Sequence, residues 1–246
     1  MRRFQKRPSG VLPQAALIAV AAWAMPGESA AQPVQPAPDR WADALHAFGE
    51  QDAAKPCPAG GVVFVGSSSI RLWDLPRSFP EFQPPPLNRG FGGSELSDSL
   101  RHAERLVLRH RPRAVVMYAG DNDIAGGKSA AVVAADFRSF AERLHDRLPK
   151  TKLAYLAIKP SLARWRLACE MRKANALIAK ACDADARLTF VDIWSPMIGA
   201  DGRPRRDLFV EDGLHLNPAG YRLWAKVLRP FLPAPNAKVS SGNPEP

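Results

Sequence analysis

Residues 62–73 read Val62-Val63-Phe64-Val65-Gly66-Ser67-Ser68-Ser69-Ile70-Arg71-Leu72-Trp73, and this stretch decides the fold. Its first four residues form a continuous apolar run, the pattern of a short strand buried on both faces. Gly66 punctuates the run, and the serines after it read as a turn into a helix. The same sequence of strand, polar turn and helix recurs downstream. Apolar runs lie at 114–119, 153–158 and 188–193, with a weaker one at 87–91 behind Pro84, Pro85 and Pro86. Between them, helical spacing joins Leu96, Leu100, Ala103 and Val107, then Phe137, Ala141, Leu144 and Leu148, then Leu167, Met171, Ala174 and Ile178. A last helix carries Tyr221, Trp224, Leu228 and Phe231 on one stripe, with Asn217 as N-cap and Pro218 at its first position. The expected fold is therefore α/β, a five-stranded parallel sheet with helices on both faces.

In such sheets a ligand binds beyond the carboxyl ends of the strands, so the polar residues just after each strand are the candidates. After the first strand, Ser68 stands at a strand-to-helix turn, where backbone N–H groups face an incoming anion. A serine-rich turn is also an ordinary helix cap. It is not a Gly-x-Ser-x-Gly elbow, because Ile70 occupies the last glycine position. After the second strand comes Asn88-Arg89-Gly90-Phe91-Gly92-Gly93-Ser94, whose glycines let backbone N–H groups approach a ligand; a turn with a cap at Ser94 reads equally well. After the third comes Gly120-Asp121-Asn122-Asp123, an anion-stabilising amide or an Asx turn. Of the five histidines, His46, His102, His110 and His145 fall in expected helices. Only His215 lies in a loop with a carboxylate, Asp212, three residues before it. At that spacing Asp212 reaches one imidazole nitrogen and leaves the other for a serine.

Taken in order, Gly66-Ser67-Ser68, Gly90-Phe91-Gly92-Gly93-Ser94, Gly120-Asp121-Asn122-Asp123 and Asp212-Gly213-Leu214-His215 resemble the four blocks of the SGNH (GDSL-like) hydrolase family over residues 60–232. The longer strings around Ser68 and Gly93 are similar to a bacterial branch related to the platelet-activating-factor acetylhydrolase type. The resemblance implies a flavodoxin-like three-layer α/β/α fold and hydrolysis of small-acyl esters with no metal or cofactor. It assigns the nucleophile to Ser68, the base to His215 and the third triad member to Asp212. Oxyanion donors would be the Ser68 and Gly93 backbone N–H groups and the Asn122 side chain. Where the family has Gly-Asp-Ser, Ser67 stands in the middle. Alignment on Gly66 selects Ser68 over Ser67 and Ser69.

Further candidates follow the fourth strand. Lys159-Pro160-Ser161 leads to Arg164 and Trp165, which would bind an anionic or sugar group or simply form a surface loop. Trp73 and Phe209 would line an acyl pocket or belong to the core. The rival to an esterase is a non-catalytic extracytoplasmic binding protein on the same scaffold. A flavodoxin-like cofactor binder has less support, since neither a P-loop nor a Gly-x-Gly-x-x-Gly fingerprint follows the first strand.

The ends and the composition set the context. Arg2, Arg3, Lys6 and Arg7 precede an apolar stretch at 15–24 and small residues Ser29-Ala30-Ala31, the layout of a cleaved signal peptide over residues 1–31. Phe4 and the polar Gln5-Lys6 after Arg2-Arg3 favour the general secretory route over twin-arginine export. Residues 32–55 are expected to be a Pro/Ala/Gln linker and a helix over 39–48, residues 56–233 the hydrolase domain and 234–246 a disordered tail. The mature protein is then exported, periplasmic or secreted, without stable membrane insertion. The net charge of +10 is spread along the chain with no block of like charges, which speaks against nucleic acid. The expected partner is a small-molecule ester; oligomeric state is not legible. Cys57, Cys169 and Cys182 match no zinc spacing. Cys169 and Cys182 on one unbroken helix lie about 20 Å apart, too far to bridge, which leaves Cys57 with Cys182 as the open pairing and a buried inert thiol as the default.

Overall fold

The computed structural model describes Met1, residues 39–55 and residues 59–235. The chain divides into two units, Met1–Pro38 and Asp39–Pro246. The expected signal peptide, the expected linker before residue 39, Cys57 and the expected tail from 236 lie outside the described residues.

Five strands form the sheet: β1 (Val62–Gly66), β2 (Leu87–Gly90), β3 (Ala114–Tyr118), β4 (Lys152–Leu156) and β5 (Leu188–Val191). All pair in parallel, in the order β2-β1-β3-β4-β5. The helices are α1 (Ala42–Ala54), α2 (Ser68–Arg71), α3 (Leu75–Ser78), α4 (Leu96–Arg101), α5 (Ala103–Leu106), α6 (Asp121–Ala125), α7 (Ala130–Arg147), α8 (Ala168–Asp183) and α9 (Pro218–Leu228). No helix among the described residues is long and apolar enough to cross a membrane.

Because side chains alternate along a strand, each buried run feeds two cores. Val63, Val65, Val115, Met117, Leu153 and Tyr155 face the layer of α1, α4, α5, α7 and α8. Phe64, Val116, Tyr118, Ala154 and Leu156 face the layer of α2, α3 and α9, where Trp73 and Trp224 pack edge to face. Trp73 and Phe209 are both in this core.

Four details differ from the sequence expectations. The pattern Leu96 to Val107 is not one helix: the backbone leaves helical geometry at His102 (φ −99°, ψ 13°), whose ring turns to Asp39 Oδ2 at 3.0 Å. Glu95, not Ser94, caps α4, in a reciprocal box with Asp98. Phe231 falls beyond the end of α9 and is exposed, so the last stripe is one turn shorter. The first helix starts and ends later, at 42–54, and belongs to the folded body, with Leu45 buried and Trp41 packed edge-on against Phe91 at 5.3 Å. Cys169 and Cys182 lie on unbroken α8 as free thiols, and burial pushes the Cys182 thiol up to about 12.

Candidate active site

β1 ends at Gly66, whose φ of +139° carries the chain over β3; a Cβ there would meet Tyr118 O at 1.9 Å. Ser67 donates its N–H to that same carbonyl at 3.0 Å and stands as N-cap, making Ser68 the first residue of α2. As a first helical residue, Ser68 has no intrahelical partner for its N–H. The three serines have separate fates. Ser67 and Ser69 are buried, and Ser69 Oγ accepts from Lys159 Nζ at 3.2 Å. Half-buried Ser68 alone places its Oγ 3.0 Å from His215 Nε2.

His215 is held from its other side. Its Nδ1 lies 2.6 Å from Asp212 Oδ2, and Asp212 Oδ1 accepts the backbone N–H groups of Leu214 and His215 at 2.8 and 2.9 Å. Partial burial would raise the Asp212 carboxyl, but the His215 side chain and those two N–H groups outweigh it and hold it at about 2. An ionised carboxylate at Nδ1 favours the tautomer with its proton there, which leaves Nε2 as acceptor toward Ser68. The other histidines face elsewhere: His110 lies near Asp52, His145 Nε2 meets Thr151 O at 3.1 Å, and His46 is exposed near Glu50.

The turns after β2 and β3 close the same edge. Gly93 has φ +78°, a conformation that favours glycine. Its carbonyl accepts from Arg40 at 3.3 Å. Asn122, near the start of α6, donates one amide hydrogen to Ser94 O at 2.9 Å, which fixes its plane and keeps the second N–H for another acceptor. Asp123 Oδ1 and Oδ2 accept the Leu96 N–H at 3.1 and 3.2 Å, and Oδ1 also meets Lys128 Nζ at 3.1 Å. Burial dominates here and pushes the Asp123 carboxyl up to about 6 despite Lys128. The structure thus brings Ser68, Gly93, Asn122, Asp212 and His215 to the carboxyl edge of β1–β3.

One participant was not assigned a role from the sequence. Lys159, just after β4, is 1% exposed, and its Nζ reaches Ser69 Oγ, Tyr118 Oη at 3.0 Å and Asp121 Oδ2 at 3.0 Å. Arg164 joins the same carboxylate at 3.1 Å. Burial opposes ionisation of Asp121, yet the two cations keep it below the usual carboxylate range, while burial pushes Lys159 down. A lysine closing a buried apolar run was the available signal. Arg164 is therefore engaged internally, whereas Trp165 stacks on Trp194 with centroids 6.1 Å apart.

The sequence profile of the GDSL-like lipase/acylhydrolase family matches residues 74–223, more than half of the chain. The chain belongs to that family. The match of this GDSL-like chain spans the Gly93, Asn122 and His215 turns and starts downstream of Ser67 and Ser68, where the sequence departs from Gly-Asp-Ser. Among solved structures it is similar to a protein from Streptococcus pneumonia described as a platelet activating factor, at 17% identity and TM-score 0.69, covering 77% of this chain and 91% of that one. It is also similar to a GDSL-like lipase from Bacteroides thetaiotaomicron VPI-5482, at 23% identity and TM-score 0.64 over 76% and 96% of the two chains. A carbohydrate esterase family 3 protein from Talaromyces cellulolyticus gives 17% identity and TM-score 0.58 over 70% and 95%. At these identities the likeness shows the GDSL-like fold alone. No curated protein matches the chain.

Proposed function

We propose that this protein hydrolyses small-acyl carboxylic esters through an acyl-enzyme on Ser68. The observation that carries this reading is the hydrogen-bonded line from Ser68 Oγ through the His215 ring to Asp212. His215 Nε2 takes the Ser68 proton as Oγ attacks the ester carbonyl carbon. The resulting oxyanion meets the Ser68 and Gly93 N–H groups and the free N–H of Asn122. Collapse restores the carbonyl and breaks the bond to the alcohol oxygen, which leaves with the proton from His215. Water then attacks the acyl-enzyme and gives a proton to His215. The second collapse returns that proton to Ser68 and releases the carboxylic acid. Asp212 stays ionised and stabilises the imidazolium formed in both steps.

The test is turnover of 4-nitrophenyl acetate together with labelling by a fluorophosphonate. Ser68→Ala should lose both, with kcat down roughly 10⁴-fold or more, while Ser67→Ala and Ser69→Ala keep the label. Absence of labelling on the wild-type chain would favour a binding protein on this scaffold. We also place the domain outside the cytoplasm, after removal of residues 1–31, on the strength of the basic, apolar and small-residue order of that segment. Fractionation and N-terminal sequencing of the mature protein test this; a cytoplasmic chain starting at Met1 contradicts it.

A further inference from the structure

A groove of about 910 Å³ opens beside His215, between α3 and α9. Leu72, Val210, Leu216 and Ala225 give it apolar walls, and Leu72 and Val210 are among the exposed large apolar side chains of the described residues. Neither Gly93 nor Asn122 borders it. That asymmetry matters chemically. In acyl transfer the carbonyl oxygen faces the oxyanion donors, and the leaving oxygen must come within reach of the imidazole that protonates it. A groove that touches His215 and not the oxyanion donors is therefore on the alcohol side.

Its rim is cationic. Arg77 on α3 and Arg222 and Lys226 on α9 line it, and none of the three has an ion-pair partner among the described residues. Arg222 and Lys226 lie one helical turn apart, where like charges repel. Arg229, also on the rim, is already engaged by Glu81 and by Ser78 O at 2.8 Å. The single acid of the lining, Asp74, uses its Oδ1 to cap α3 through the Arg77 N–H at 3.1 Å. Three cations without ion-pair partners, against the one carboxylate of Asp74, give the apolar trough a net positive rim, a receptor for a group that is negative at one end and apolar at the other.

We infer that this groove binds the alcohol half of the ester and selects alcohols carrying an anionic group, carboxylate or phosphate, on an apolar body. The inference rests on the esterase reading above. Three acetyl esters separate the cases: 4-acetoxybenzoate, 4-acetoxyphenyl phosphate and the neutral methyl 4-acetoxybenzoate. For the wild-type chain at low salt, kcat/KM for at least one anionic ester should exceed the neutral one by about tenfold, and 0.5 M salt should erode that advantage. The stronger arm names the anion. In Arg222→Glu/Lys226→Glu the ratio should fall to one or below. In Arg138→Glu/Arg143→Glu, the same charge change on α7 in the opposite layer, it should persist; a fall there too assigns the effect to overall charge and overturns the inference. Ratios within twofold of one in both arms, or a ratio unmoved in Arg222→Glu/Lys226→Glu, also overturn it. Failure of the esterase reading looks different: no ester, charged or neutral, shows turnover that depends on Ser68.

Discussion

Lys159 Nζ lies 3.0 Å from Asp121 Oδ2 with both side chains inside the domain, so the turn that follows β4 is ion-paired to the neighbour of Asn122. The same ammonium holds the hydroxyl of Ser69, next to Ser68. Two turns of the site, one from β1 and one from β3, are thereby pinned to a single buried cation. Lys159→Met should cost about 3–5 kcal/mol, since it leaves a buried carboxylate with Arg164 as its one cation beside the Tyr118 hydroxyl. Lys159→Met/Asp121→Asn should recover part of that loss. Urea unfolding of the wild type, both single variants and the double variant checks the coupling; additive costs would show that the pair does not act as a unit.

Asn122 has one amide hydrogen committed to Ser94 O. Asn122→Ala should lower kcat for an aryl acetate by about 10²–10³-fold, while the lost hydrogen bond costs only about 1 kcal/mol of stability. Initial rates beside a thermal melt separate the two effects. A variant equally active and equally folded would remove Asn122 from the oxyanion site.

At Gly66 the backbone leaves no room for a side chain, with Tyr118 O 1.9 Å from an added Cβ and φ at +139°. Gly66→Ala must move β1 against β3 or distort the serine turn. We expect a loss of about 3 kcal/mol or more, beyond the range of ordinary overpacking, read as a fall in the urea midpoint.

Asp123 supplies a pH signature. Its carboxyl rises from 3.8 to about 6 in the fold, so the native state holds this proton more tightly than the unfolded chain. Its contribution to stability is full below pH 4 and lost as pH rises through about 6, an effect of roughly 3 kcal/mol. Asn keeps an oxygen for the Leu96 N–H and cannot ionise. The stability of Asp123→Asn relative to wild type should therefore climb between pH 4 and 7. Unfolding free energies at pH 4, 5.5 and 7 test this, and a constant difference would contradict it. Taking the difference isolates Asp123 from His110 and His145, whose lowered values act with the opposite sign.

What was legible in the sequence follows from how local each signal is. Val62 to Val65 and their counterparts announce strands because a strand covered on both faces has no polar residue to interrupt it. Asn217 announces α9 because its cap is made with Ala219 and Gly220, within three residues. His215 stood out for the same reason, with Asp212 three positions away. Gly93 and Asn122 needed the parallel topology to become neighbours, and the family blocks supplied that order. The Lys159 cluster draws on partners up to 90 residues away, and no spacing rule reaches so far. The break at His102 was hidden because Leu96, Leu100, Ala103 and Val107 keep helical spacing across it, and spacing does not report backbone angles.

Arg40 and Trp41 carry one more consequence. They hold Gly93 O and Phe91 from 53 and 50 residues upstream, outside the stretch that defines the family. Trimming the chain back to the start of β1 would keep Ser68, Asp212 and His215 but remove the brace from the glycine loop, together with the buried Leu45 and the Asp52 partner of Arg89. Such a protein should lose stability along with turnover, because the segment before β1 secures the Gly93 turn and closes one face of the core at the same time.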